Sequence, residues 1–557
     1  MTTVNRMGWW LKAAVVCVAL AGSAGVIAQR GAPVPAPPSA AGQRPRLVVI
    51  LVVDQMRASY ISLYSHQWNK GLRRLMDTGA FFPLTQYPYN LTVTCPGHAT
   101  ISTGTFPSTH GMIGNEWYDR DSRRNVPCTD DATFSAVRFG GGTGSGHHGP
   151  TRLNALTFTD ELRIQGTRPP TVVSLSQKAR SAIMLAGRPT PSTYVIWEEG
   201  GSGAVATSTA YASGPWPVVD QFVTAHPISA DYGQAWTRAL PPEGYLFADA
   251  AAGELAPAEF PHPLEGKAGT PDSEFYTRWR RSPLSDRYMG RLGQHLAREL
   301  KLGQAAGTDV LAIGFSALDV VGHEYGPHSH EVQDVMVRLD ETIGELLTTL
   351  DRLVGRDRYV VALTADHGVA QVPEQSRQAG APAGRYTSAA VRGAVNTALT
   401  AFFGEGAHVT TSTGPNVYLA PGVLARAMAT PGAREAVTQA VTSVEGLARV
   451  YWADELASSA ATDDPYLRSA RLSYVAGRSG DLVFLSDPYW IGQANGTTHG
   501  TVYDYDQRVP LLFAGAGIKP GRYLVPATPA DLAPTLAHLV GITMAHTDGQ
   551  VRTEAIK

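Results

Sequence analysis

Three stretches of this chain are almost unbroken apolar runs: RLVVILVV (46–53), DVLAIGFSAL (309–318) and YVVALTA (359–365). None alternates apolar with polar positions, as a strand with one wet face does. Runs of this length, rich in Val, Ile and Leu, predict strands buried on both faces in a parallel sheet. Between them the period changes. Val332, Val335, Leu339, Ile343, Leu346 and Leu350 recur every three or four positions, which predicts an amphipathic helix over 332–353. Thr528-Pro529 opens another helix and Gly541 closes it. Together these elements predict an α/β fold: a doubly wound, mostly parallel central sheet with helices on both faces. Segments 131–300 and 370–490 carry more Gly, Pro, Ser and aromatic residues with weaker periodicity. They are expected as cap insertions over the sheet's edge.

Of the 557 residues, 43% are hydrophobic and 17% charged, which supports a large core and excludes a disordered chain. A formal net charge of -2, with no long run of like charge, argues against a nucleic-acid-binding surface. Arg6 and Lys12 precede the apolar run AAVVCVALAGSAGVIA, which ends in the small-residue pattern Val26-Ile27-Ala28. A cleaved signal peptide is expected over 1–28, then a Pro/Ala-rich linker over 29–45. The apolar run is short for a membrane span, so a periplasmic or secreted protein without a span is expected after cleavage. Removal of the leader takes Cys17 and leaves Cys95 and Cys128. In an oxidising compartment these two either pair or remain small buried thiols.

Each apolar run is followed at once by an acid: Asp54 in VVDQMR, Asp319 in ALDVVGHEYG and Asp366 in LTADHG. Open α/β sheets bind ligands at the carboxyl ends of their strands. His323, four residues after Asp319, His367 beside Asp366, and His499 in GTTHG complete a set of mixed carboxylate and imidazole donors suited to zinc. Singly these residues have ordinary readings. An Asp after a strand commonly caps a helix, Asp-His-Gly is a common turn, and Asp-x-x-x-His can be an exposed helical pair. Jointly they require a cation, because carboxylates gathered at one sheet end repel one another unless neutralised. The stretch TVTCPGHATISTG (92–104) is expected to set Thr94 on a sharp turn beside them. A threonine hydroxyl becomes a nucleophile at neutral pH only when something such as a metal ion lowers its pKa.

VVDQMR, T-x-P-G-H, HGMIGNEWYDR, D-x-x-x-H, ADHG and a late T-H-G, in this order, resemble the alkaline phosphatase superfamily. The resemblance is to its phosphate-irrepressible, threonine-nucleophile bacterial branch, which has the type I phosphodiesterase/nucleotide pyrophosphatase-like fold, and it spans a catalytic domain over 46–550. It implies two Zn²⁺ ions per chain, one held by Asp54, Asp366, His367 and Thr94 and the other by Asp319, His323 and His499. It also implies that Asn115 hydrogen-bonds a phosphoryl oxygen. Lys178 and Arg180, in SLSQKARSAIMLAG, match the Lys-x-Arg pair of the family's monoesterases. Away from that context two basic residues are most simply a solvated loop pair, but the apolar flanks argue against an ordinary exposed helix face. His98 and His110 are expected to support the nucleophile segment by hydrogen bonding. The sulfatase pattern C-x-P-x-R is not met, because Ala99 stands where Arg is needed.

The implied activity is hydrolysis of small-molecule phosphate monoesters through a phosphothreonine, by a chain expected as a monomer. A phosphodiesterase or nucleotide pyrophosphatase, or a phosphonate-monoester hydrolase, shares the metals and Thr94 but does not need Lys178 and Arg180. A non-catalytic phosphate- or metal-binding protein leaves Thr94 without a role.

Overall fold

The computed structural model describes residues 44–142 and 144–557. The expected leader at 1–28 and nearly all of the linker lie outside the described residues. Leu47–Val53 pairs in parallel with Asp309–Phe315 on one side and with Tyr359–Thr364 on the other. Every residue of these strands is buried, and the reason lies in their two faces. Leu47, Val49, Leu51 and Val53 enter one core, whereas Val48, Ile50 and Val52 enter a second core on the opposite face. With both faces covered, both sets of alternating side chains are predominantly apolar.

The central sheet has ten strands. Five form its parallel heart, in the order Tyr359–Thr364, Leu47–Val53, Asp309–Phe315, Val172–Ser176 and Thr193–Glu199. Leu511–Gly515 joins one side antiparallel, followed by the short strands Gly79–Phe81 and Gly521–Arg522. Ala204–Ser208 and Ala136–Phe139 extend the other side, both antiparallel. The amphipathic helix runs from His330 to Leu353, capped by the Ser329 hydroxyl accepting from the Val332 N–H. The late helix, Leu532–Val540, is preceded by a single 3₁₀ turn at Pro529–Asp531.

Segment 131–300 departs from the expected cap. Four of its strands, beginning at Ala136, Val172, Thr193 and Ala204, belong to the central sheet. Stretches such as VVSLS and AVATS look weak because small Ser and Thr side chains interrupt the apolar run, yet their neighbours bury them all the same. Segment 370–490 contains a four-stranded antiparallel sheet of its own, ordered Val409–Thr413, Asn416–Leu419, Leu482–Ser486 and Leu447–Trp452. Helices Ser388–Phe403 and Ala433–Thr442 share its small core, which includes Val391, Val437, Trp452 and Phe484. No helix among the described residues is long and apolar enough to cross a membrane.

Candidate active site

Strand register gathers the site. Val53 lies opposite Phe315, Val52 opposite Thr364, and Gly314 opposite Ser176, so the parallel strands end level with one another. Asp54, Asp319, Asp366 and Lys178 therefore emerge at one end of one sheet. The donor atoms of Asp54, Asp366 and His367 lie within 4.8 Å of one another, and so do those of Asp319, His367 and His499. His323 adjoins the second group, its Nε2 3.3 Å from Asp319 Oδ1. The two groups meet through the His367 and His499 rings, which stack with centroids 3.5 Å apart.

Each histidine is oriented by a backbone carbonyl. The Nδ1–H groups of His323, His367 and His499 donate to the carbonyls of Thr497, Gly368 and Thr92, at 2.8, 2.9 and 2.9 Å. That bond assigns the tautomer and turns an Nε2 lone pair toward the carboxylates, the usual preparation of a metal-binding imidazole. Asp54 Oδ1, Asp366 Oδ2 and His367 Nε2 are buried and have no hydrogen-bond partner among the described residues. Three buried carboxylates face a single ammonium, that of Lys178, so negative charge remains uncompensated. Donor chemistry, orphaned atoms and charge all fit divalent cations.

The Thr94 segment is helical rather than a turn. Thr94 opens the buried helix Thr94–Thr103 after an extended Val93, and residues 90–93 are not a strand. Pro96 is tolerated there because first-turn N–H groups have no intrahelical partner. The need for Gly97 comes from packing: a Cβ at this position would lie 2.4 Å from the Asp366 carbonyl oxygen. His98 Nδ1 lies 2.9 Å from the Thr94 carbonyl oxygen, and His110 Nε2 lies 3.1 Å from the Thr100 hydroxyl. Gly97→Ala is expected to push the helix away from Asp366. Overpacking of this kind costs about 1–3 kcal/mol, and the displacement lowers turnover by on the order of 100-fold. Thermal melts and aryl phosphate assays on this variant check both; an unchanged rate would disconnect the helix position from the chemistry.

Asn115 sits beside Thr94. Its side-chain Oδ1 accepts from the Cys95 N–H at 2.8 Å, which leaves the amide NH₂ to donate elsewhere. Cys95 and Cys128 form a disulfide, deciding between the two readings of these cysteines, and the Cys128 N–H donates to the Asn115 carbonyl at 2.9 Å. Lys178 and Arg180 follow the strand Val172–Ser176, at the start of helix Ala179–Ala186. With Asn115 they line a cleft of about 340 Å³. Arg180 Nε has no partner among the described residues. Lys178 also turns inward, its ammonium 2.5 Å from both Asp54 Oδ2 and Asp319 Oδ2. It stands at the boundary between the carboxylates and the cleft.

Residues 48–505 match the family described as type I phosphodiesterase/nucleotide pyrophosphatase. The chain is 30% identical to the alkaline phosphatase PhoV of Synechococcus elongatus, over 92% of this chain and 93% of that one. It belongs to this family, in the branch of the bacterial alkaline phosphatases. This phosphatase is also 31% identical to the alkaline phosphatase PhoK of Sphingomonas sp., over 90% of its own length and 89% of that relative's. The crystal structure of wild-type alkaline phosphatase PafA matches the phosphatase fold with a TM-score of 0.84 at 30% identity, covering 93% of this chain and all of that one.

Electrostatics separate the phosphatase's carboxylates. Burial, then Asp319 and Asp366, push the Asp54 carboxyl up to about 6. Burial would raise Asp319 too, but Lys178 and His323 hold it well below the usual range. Burial, helped by His499, keeps His367 well below the ordinary imidazole value, so it is a neutral donor.

One residue of the site lies inside the VVDQMR motif, yet sequence reasoning assigns it no role. Gln55 has a left-handed backbone (φ 70°), rare outside glycine, and is fully buried. Its N–H donates to Asp366 Oδ1 at 3.1 Å and its side-chain amide donates to Asp319 Oδ1 at 2.9 Å. It thus braces one carboxylate of each carboxylate–imidazole group. Gly322 makes room for it, since a Cβ there would lie 2.0 Å from Gln55 Oε1. The signal in the sequence is its place in VVDQMR, directly after Asp54.

Proposed function

We propose that this chain is an exported, zinc-dependent phosphate-monoester hydrolase that works through a phosphothreonine at Thr94. The observation that carries the reading is the meeting of two carboxylate–imidazole groups beside the Thr94 helix, with Asn115, Lys178 and Arg180 on the adjoining cleft. Asp54, Asp366, His367 and Thr94 would hold one zinc ion, and Asp319, His323 and His499 the other. Bound there, the ions supply Lewis-acid charge and lower the pKa of the hydroxyl or water they contact.

The Thr94 hydroxyl gives its proton to solvent and its oxygen attacks phosphorus in line, forming a phosphothreonine ester as the bond to the leaving oxygen breaks. The leaving alkoxide departs on the opposite side, toward Asp319, His323 and His499, and takes up a proton. Water then attacks the phosphothreonine and releases inorganic phosphate, restoring the hydroxyl. Phosphoryl transfer needs positioning and charge stabilisation above all. Asn115 donates to a non-bridging oxygen, and Arg180 offers an Nε–H without a partner among the described residues to the extra negative charge that distinguishes a monoester from a diester. Export is supported by the disulfide, which persists in oxidising compartments.

A phosphodiesterase would share the two donor groups and Thr94 without depending on Lys178 and Arg180. Rates of the zinc-loaded protein on an aryl phosphate and on its methyl diester separate the two readings. A monoester preference on the order of 100-fold or more is expected from the added charge contacts. Equal rates would overturn the monoesterase assignment.

A further inference from the structure

A second cavity adjoins the second ligand group and does not use Asn115, Lys178 or Arg180. Its volume is about 510 Å³, inside the ~300–1,000 Å³ span of small-molecule sites. Leu91 and Val93, leading into Thr94, form one wall. The ligand His499 lies in another, and Tyr386, Trp490 and Tyr503 close the remainder. These five apolar and aromatic side chains are each only partly buried, unlike the fully buried core residues around them. The cavity is therefore bounded by the segment that presents the nucleophile, by a ligand of the leaving side, and by aromatic residues brought in by the 370–490 insertion.

In-line displacement places the leaving oxygen opposite the attacking threonine oxygen. On the monoesterase reading, on which this inference rests, that side is the one formed by Asp319, His323 and His499. A group attached to the leaving oxygen passes His499, and the cavity that opens there is lined by aromatic faces. The phosphoryl end of the ester meets the polar cleft of Asn115, Lys178 and Arg180 instead.

We propose that this cavity is the leaving-group subsite and that it takes an aryl, or similarly flat and apolar, ester group against Tyr386, Trp490 and Tyr503. Trp490 itself packs closely over Gly384 and Gly446, so truncating it would disturb the fold. Tyr386 and the exposed lining residue Ala494 are the better probes.

Zinc-loaded wild type, Tyr386→Ala and Ala494→Trp are compared on 1-naphthyl phosphate and methyl phosphate. The readout is the ratio of kcat/KM for the two esters relative to wild type, in which their intrinsic reactivities cancel. Loss of one aromatic contact in Tyr386→Ala is expected to lower that ratio roughly tenfold. Ala494→Trp, which fills the cavity from its rim without touching the core, should lower it at least as far. A wild-type ratio in Ala494→Trp overturns the subsite. Failure of the underlying monoesterase reading gives a different result, since wild type then hydrolyses an aryl phosphate no faster than its methyl diester, whatever the ratio in the two variants.

Discussion

Thr94→Ala should abolish phosphate release while the protein still binds two zinc ions. The side chain opens a buried helix whose position is set by Gly97 against Asp366 and by His98 against the Thr94 carbonyl. Removing the hydroxyl leaves that packing in place, along with the six carboxylate and imidazole donors. Loss of a covalent nucleophile commonly costs on the order of 10⁴-fold or more in kcat. Thr94→Ser keeps a hydroxyl and should recover part of the rate. Quenching with acid after labelled substrate should trap a phosphorylated wild-type chain and nothing on the alanine variant. Metal analysis decides the alternative: if zinc leaves along with activity, Thr94 is a structural ligand and not the nucleophile.

The double substitution Lys178→Ala/Arg180→Ala should collapse the preference for monoesters over diesters. Two charge-assisted donors facing the phosphoryl group account for about 10²–10⁴-fold in kcat/KM on a monoester. A diester, with one negative charge fewer, has less to lose. The two residues are not equivalent, however. Arg180 has an unpaired Nε at the cleft, whereas the Lys178 ammonium lies between Asp54 and Asp319. Breaking a buried ion pair from one side costs roughly 3–5 kcal/mol. In chelator-treated protein, Lys178→Ala should therefore lower the melting temperature and Arg180→Ala should not. If Arg180→Ala alone leaves the monoester:diester ratio at its wild-type value, the cleft is not where the phosphoryl charge is read.

Much of the fold was legible because burial on two faces forces a particular composition. A parallel strand packed into apolar cores on both faces carries few polar residues at either parity, which is why the three apolar runs stand out. Other strands of the same sheet were harder to see. VVSLS and AVATS place Ser and Thr in the sheet, and only their neighbours reveal that these positions are dry. The same distinction runs through the site. Asp54, Asp319 and Asp366 were visible as acids at strand ends, a local property. Gln55 was not, because a glutamine after a strand is commonplace and its role depends on two carboxylates more than 260 residues away in the chain.

By itself, the sequence determined the buried strands of the α/β sheet and the acids that directly follow them. Those follow from local composition and spacing. Only the tertiary structure decided that Thr94 begins a helix instead of a turn, that Cys95 and Cys128 are joined, that segment 131–300 helps build the central sheet, and that Lys178 faces the carboxylates as well as the cleft. Each of these depends on which distant backbone comes close. Strand register settles that, since it brings the ends of separate strands level and leaves their charges to find partners across the gap.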